Sequence, residues 1–490
     1  MKKFASVITP KKSYYKELFF TFIILCGVLF RLFFIFSRDI FTDEVFYTNV
    51  ALSNSFSSIL TSSHWIKDHG VLFLLILKVL THLSKNIIIL RLFNLIPYII
   101  SCLILFNFFK KLKTGYLSLI SVFVYSFLSY FVFLSAMVSP FNLVSFLTLL
   151  ALVSLIKYVF FNKTWKQLFL FTLFSIMTFY ADFSSIYFFL SLIIGLFLIY
   201  LKKRKDLIYV LLSYLVILTC ILPGIFYVIN TFREISFLNQ DKSLVNFDFF
   251  KFLTVFSNNI LLRINGQLSL ILLLILLFIL ATYSLKSNQK KLKFISMLFL
   301  TAFLLNTVFL FVFNKHFFSI FTERSFWHFY LVEVFIITLI SLYLRTKKLY
   351  LTIFLIAILL VITIRFIDGG NHFPGIVPDF NIKYKELASK IKKIPSFNRN
   401  KIIYYDQGYS YVPLREYYLK DYINNSLILA NNSNDISLLP NKTILIVFDI
   451  YNQGDFRRIK DNIRHLDKNK KIYVFTTICD KKNCNFLQIN

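Results

Sequence analysis

Charged residues are scarce in this chain, 16% of 490 positions, against 57% hydrophobic residues. A soluble core of this length cannot bury so much apolar surface, so a water-soluble globular fold is excluded and lipid must solvate the remainder. Glycine occurs eleven times and cysteine five times. The chain has no glycine-rich phosphate loop, no His-Glu-x-x-His helix, no serine-nucleophile elbow and no zinc-type Cys/His spacing, which removes the short motifs of those chemistries. Cys26, Cys102 and Cys220 sit in apolar stretches and read as small hydrophobes. Cys479 and Cys484 flank a polar Asp-Lys-Lys-Asn turn, a disulfide if their compartment is oxidising. The small-residue cleavage site of a signal peptide is also missing, and the first apolar run is too long for one.

Acidic residues are outnumbered, 24 against 54 Lys and Arg, leaving a net charge of +30. A nucleic-acid partner would need a basic face on a soluble domain. Here the cations lie between apolar runs, so none is expected, and the charge instead orients the chain in a lipid bilayer. The 62 phenylalanines read as compositional drift and receive no individual weight.

Apolar stretches long enough to cross ~30 Å of hydrocarbon appear near 17-37, 86-109, 115-135, 139-158, 166-181, 183-201, 207-229, 267-285, 293-313, 326-344 and 348-367. This predicts a polytopic α-helical membrane protein with eleven transmembrane helices. The run from Gly70 to Ser84 is short for a span and has Lys78 at its middle. Lys78, His82 and Lys85 form one polar stripe on an otherwise apolar helix, which predicts an interfacial position.

With the N-terminus cytoplasmic and eleven crossings, the tight basic clusters at 110-113, 202-205, 286-293 and 345-348 all fall on the cytoplasmic side, as the positive-inside rule requires. A twelfth span at 70-84 would move all but the N-terminal cluster outside. The predicted layout is a transmembrane domain over 1-367, a large first outer loop over 38-85, and an extracytoplasmic domain over 368-490. That last region opens with Gly369-Gly370 and the prolines 374 and 378 and reads as α/β. Lys383 to Ile394 and Phe456 to Leu466 are helical in pattern; Lys401 to Tyr405, Thr443 to Phe448 and Lys471 to Thr477 are strand-like. Acceptor recognition or structural capping is its expected role.

The first outer loop carries the chemistry. It begins Arg38-Asp39-Ile40-Phe41-Thr42-Asp43-Glu44-Val45-Phe46-Tyr47. Adjacent carboxylates beside a membrane raise one another's pKa, which suits one of them to proton abstraction. The same residues also fit a helix start, with Thr42 as cap and both acids complementing the dipole. Further on, His64 and Asp68 stand at i and i+4 and could hold a divalent metal with an acid of the first cluster. The alternative is that His64 and Trp65 anchor the headgroup region. Arg31 and Arg91 lie near span ends, where snorkelling to headgroups is the plain alternative to substrate binding. For Asp182, capping of a hairpin is the plain alternative. Glu333 is an intramembrane acid expected to have a partner, Arg324 or His328.

An arginine-bearing first span, Asp43-Glu44-x-x-Tyr47, Asp68-His69 before an interfacial helix, and Leu90-Arg91-Leu92-Phe93 opening the second span resemble, in that order, the C-type (GT-C) glycosyltransferases, and most closely the protein O-mannosyltransferase and aminoarabinose-transferase group. The resemblance covers residues 17 to 200 well and the later spans loosely. Tyr180-Ala181-Asp182 resembles the family's His-Tyr-x turn, and Glu323-Arg324 its Arg-Tyr segment. The chain departs from the pattern where His-Pro-Pro-Leu reads His69-Gly70-Val71-Leu72, and where Ser325 follows Arg324 in place of a tyrosine.

The resemblance implies inverting transfer of a sugar from a polyprenyl-phosphate donor to an envelope acceptor (protein, lipid or glycan) on the outer face of the cell membrane. Asp43 is the implied base, with Glu44 second. Arg324 is the implied cation for the leaving phosphate, with Arg91, Lys67, His69 or His316 near it in topology. Tyr47, Lys67, Asp68, His69, Arg91, Tyr180, Asp182, Glu323 and Arg324 make up the implied substrate site. No cofactor is required by this reading beyond the candidate divalent metal at His64 and Asp68. Two rivals stand beside it. One is a transporter or flippase of lipid-linked sugars, though no internal repeat is apparent. The other is a catalytically silent partner in envelope assembly.

Overall fold

A computed structural model describes residues 9-38, 40, 42-61, 70-112, 117-161, 163-200, 204-236, 249-250, 253-254, 266-286, 289-316, 327-345, 347-369, four positions between 385 and 392, and 402-405, 428-429, 444-447, 472-480 and 483-489. The chain divides into two compact units. One comprises 1-36 and 50-367, the other 37-49 and 368-490.

The first unit is helical. Its helices begin with α1 (Thr9–Ser37), α2 (Thr42–Ser53, whose first part belongs to the second unit), α3 (Phe56–Thr61), α4 (Val71–Leu83), α5 (Ile87–Leu92) and α6 (Leu95–Lys111). Then come α7 (Ser118–Phe127), α8 (Ser129–Ser135), α9 (Pro140–Phe160), α10 (Trp165–Ala181), α11 (Ser185–Tyr200) and α12 (Arg204–Ser236). The last four are α13 (Gly266–Lys286), α14 (Lys290–His316), α15 (Trp327–Leu344) and α16 (Lys348–Gly369).

Among the described residues, six helices are long and apolar enough to cross a membrane: Tyr15–Ser37, Ile87–Lys111, Pro140–Phe160, Ile208–Phe226, Ser269–Lys286 and Lys290–Val312. The pair α7 and α8 makes a seventh if counted as one bent span. The eleven crossings expected from the sequence are therefore not all matched by helices of full spanning length. Ser185–Ile199, His328–Leu344 and Lys348–Thr363 are shorter apolar helices at three expected positions. The run 115-135 is not one straight helix either. Leu128 takes extended backbone, φ −65° and ψ 119°, and the two halves meet at 57°.

The helices differ in how much lipid they meet. α9 is apolar all round and 72% buried, the pattern of a helix enclosed by others. It packs on α6, α10 and α15. α1 exposes Leu18, Phe22, Leu25, Leu29, Phe33 and Phe36 along one stripe at helical spacing, a face suited to hydrocarbon. The run starting at Gly70 forms the thirteen-residue α4, with Val71, Leu74, Leu77 and Thr81 buried along one side. Its polar stripe is not simply solvated. Lys78 Nζ donates to the Leu52 carbonyl at 3.4 Å, and the exposed His82 ring stacks on Phe56 with centroids 6.4 Å apart.

The second unit contains a five-stranded sheet. The strands are β1 (Ile402–Tyr405), β2 (Ile428–Leu429), β3 (Ile444–Val447), β4 (Ile472–Asp480) and β5 (Asn483–Ile489), in the order β2-β1-β3-β4-β5. The pairs β1–β2, β1–β3 and β3–β4 are parallel, and β4–β5 is antiparallel. The unbroken apolar runs Ile-Ile-Tyr-Tyr and Ile-Leu-Ile-Val suit central parallel strands. β1, β3 and β4 fall on the three strand-patterned segments, whereas β2 and β5 were not anticipated. The expected helix Phe456 to Leu466 lies outside the described residues; in Lys383 to Ile394 only Lys385, Ala388, Ser389 and Lys392 are described, all helical.

Candidate functional site

The acidic pair sits at a helix start. Asp43 and Glu44 both occupy the first turn of α2, where a carboxylate complements the positive end of the helix dipole. The two side chains are not equivalent. Glu44 is fully buried and Asp43 is half-buried. Glu44, Tyr47, Thr48 and Ala51 share the buried side at helical spacing, so α2 is fixed by packing along Glu44's face. Asp43 and Tyr47 stand at i and i+4 and lie on one face of the helix.

The residue that leads into α4 is tied to the α10–α11 turn. Gly70, the N-cap residue of α4, donates its N–H to the Ala181 carbonyl at 3.1 Å. A Cβ on Gly70 would lie 1.8 Å from the Tyr180 carbonyl oxygen, so no other residue allows two backbones to come this close. The structure brings Gly70 together with Tyr180-Ala181-Asp182.

That turn is itself braced. Tyr180 donates its hydroxyl to the Cys220 carbonyl at 2.8 Å, beside Pro223 inside α12. Asp182 is 2% exposed and ends α10; its Oδ1 accepts from the Ser184 N–H at 2.9 Å, an Asx turn that starts α11. This hydrogen bond gives Asp182 the hairpin-capping role that the sequence offered as one alternative.

The two arginines do not snorkel, which corrects that expectation. Arg91 is 1% exposed at the end of α5, and its Nη1 donates to the Ile35 carbonyl at 2.9 Å, holding the last turn of α1. Arg31 is fully buried. Its Nη1 reaches the Ser126 carbonyl at 2.7 Å and Gly27 at 3.2 Å, its Nη2 reaches Tyr125 at 3.4 Å, and the guanidinium lies 3.6 Å over the Tyr98 ring. The physical reason is the break at Leu128. It strands the last carbonyls of α7 away from water, and a planar fork of donors inside the bundle satisfies them and meets the negative end of the helix dipole. Tyr98 in turn donates to Ser126 Oγ at 2.9 Å.

Glu333 and His328 are both buried on α15. The alternative partner Arg324 lies outside the described residues, as do His64, Lys67, Asp68, His69 and Glu323. The candidate metal pair is among these. Within the described residues, no three His, Cys, Asp or Glu side chains cluster as metal ligands. Sequence reasoning missed the Arg31 cluster and the Gly70 joint. An arginine inside an apolar run was the available signal for the first; for the second the only hint was a glycine in place of a proline.

Six helices have spanning length and apolarity, and a buried cation is held by backbone carbonyls and an aromatic face. The chain is a helical membrane protein. No protein-family model matches this membrane protein, and no curated protein matches it. Among solved structures, the oligosaccharyltransferase of Archaeoglobus fulgidus, in complex with Zn and sulfate, is similar at a TM-score of 0.47 and 12% identity, over 93% of this chain and 67% of that one.

Proposed function

We propose that this protein is a membrane glycosyltransferase of the GT-C kind, moving a sugar with inversion from a polyprenyl-phosphate carrier to an acceptor hydroxyl on the outer face of the cell membrane. The observation that carries the reading is the acid pair in the first turn of α2, a few residues beyond the end of α1, with Glu44 fully buried and Asp43 half-buried. A base must touch its substrate, and partial exposure of Asp43 beside full burial of Glu44 supports Asp43 as the base and Glu44 as a positioning residue.

In the proposed step Asp43 takes the acceptor's O–H proton as that oxygen attacks the anomeric carbon. The bond from that carbon to the carrier phosphate breaks, and the phosphate leaves as an anion. It needs a cation, for which Arg324 is the proposed residue, with Lys67 and His69 as further candidates. Arg91, which donates to a carbonyl of α1, serves in this reading by fixing the helix that leads into the loop. Tyr47, Tyr180, Asp68 and Glu323 complete the proposed substrate site, with His64 and Asp68 as the candidate metal ligands. Eleven crossings, a cytoplasmic N-terminus and an outer unit over 368-490 belong to the same proposal.

The test is sugar transfer in membranes supplied with a polyprenyl-phosphate sugar donor. Asp43→Asn should lower transfer by ~10²–10⁴-fold, the usual scale for loss of a general base, at unchanged protein level. Full transfer by that variant removes Asp43 from the role. Wild-type protein in liposomes that moves the lipid-linked sugar across the bilayer without consuming it supports a transporter instead.

A further inference from the structure

We propose that Cys479 and Cys484 form a disulfide that closes the β4–β5 hairpin. The two are direct partners in the antiparallel ladder, and so are the residues just inside them, Asp480 and Asn483. Only Lys481 and Lys482 separate that inner pair. Across so short a connection the inner pair is the one that exchanges hydrogen bonds. Pairs alternate outward, so Cys479 and Cys484 form a non-hydrogen-bonded pair, the closer kind, with Cα atoms about 4.5 Å apart. A disulfide bridges Cα separations of about 4.4–6.8 Å. Residues directly opposite in such a ladder share one face of the sheet.

The register shows what the bond would do. Between the pair Phe475–Phe486 and the pair Cys479–Cys484, β4 advances four residues while β5 advances two, an irregularity that separates the hairpin tip from the regular ladder. β5 is also an edge strand with β4 as its one neighbour in the sheet. The tip register is therefore not dictated by the pairs further down, and a slip of one residue would turn β5 over. A covalent link at the tip fixes it. The closed loop is short, so the link sets register more than it restrains the unfolded chain.

Formation needs an oxidising compartment and a disulfide-bearing oxidant. The thiolate of one cysteine attacks the oxidant's disulfide, giving a mixed disulfide and releasing one of its thiols; the other cysteine then displaces the second. One disulfide forms, one is reduced to two thiols, and the two cysteine protons end on the oxidant's sulfurs. Cys26, Cys102 and Cys220 belong to apolar helices and are free.

Full-length protein in its native membranes should be denatured in N-ethylmaleimide and digested with trypsin, which cleaves at Lys471, Lys481 and Lys482 and so cuts the hairpin between the two cysteines. The expected result is one species joining Ile472–Lys481 to the peptide from Asn483, separated by dithiothreitol, with the maleimide found on Cys26, Cys102 and Cys220. Both peptides carrying maleimide before reduction would overturn the proposal. In Cys484→Ser, Cys479 should become maleimide-reactive; its continued protection there would place its partner elsewhere and equally overturn the bond. The bond rests on the outer placement proposed for 368-490, but neither readout depends on sugar transfer, so failure of the disulfide and failure of the transfer activity are told apart.

Discussion

Gly70 shows how one missing methyl group can hold a site together. A Cβ there meets backbone oxygen rather than the end of a flexible side chain, so the strain of Gly70→Ala has no cheap relief. The expected cost is about 1–3 kcal/mol, the range for overpacked sites, read as a lower unfolding midpoint of the purified protein in detergent. At the acid pair the two substitutions should differ. Glu44→Gln keeps the shape of a buried side chain and should reduce transfer less than Asp43→Asn; equal losses would mean that the buried acid takes part in proton transfer. The sequence marked Asp43 and Glu44 because carboxylates are rare beside a membrane, and it placed both at a helix start. It did not reveal which one was accessible, because that depends on which side of α2 is packed. Gly70 was visible only as a departure from a motif, since its reason lies more than a hundred positions away at Tyr180.

The element with the least sequence warning is the broken pair α7 and α8. No proline or glycine marks Leu128, and the apolar run 115-135 reads as continuous. The break survives because Arg31 on α1 supplies donors to the carbonyls of Tyr125 and Ser126. Arg31→Leu should cost about 2–6 kcal/mol, from ~1–3 kcal/mol for each of the two stranded carbonyls, measured by thermal unfolding in detergent. Arg31→Lys keeps the charge but not the planar fork, and should recover part of that loss. Equal stability of all three proteins would show that water or lipid headgroups serve those carbonyls instead. α4 was legible as a short helix with a polar stripe, but what the stripe meets was not. Lys78 and His82 turn toward α2 and α3, partners that hydrophobic periodicity does not name.

Across the whole molecule, apolar run length gave the helical membrane class and most helix positions, because lipid demands both length and apolarity from each span. Six of the eleven expected crossings coincide with helices of full spanning length among the described residues, since run length is blind to where a helix bends or stops. The proposed topology rests on charge and is directly testable. Protease added to intact cells should remove the unit over 368-490 and spare the basic loops near 110 and 203; survival of that unit would reverse the orientation. Arg31 also bears on how the protein is made. Its carbonyl partner Ser126 lies 95 residues later in the chain, so α1 enters the bilayer before the helix that satisfies its guanidinium has been synthesised. During that interval the cation must be held by the insertion machinery or by water drawn in beside it. Correct assembly of α1 is thereby deferred until α6 and α7 arrive, and variants that delay those two helices should leave the first one exposed to quality-control proteolysis.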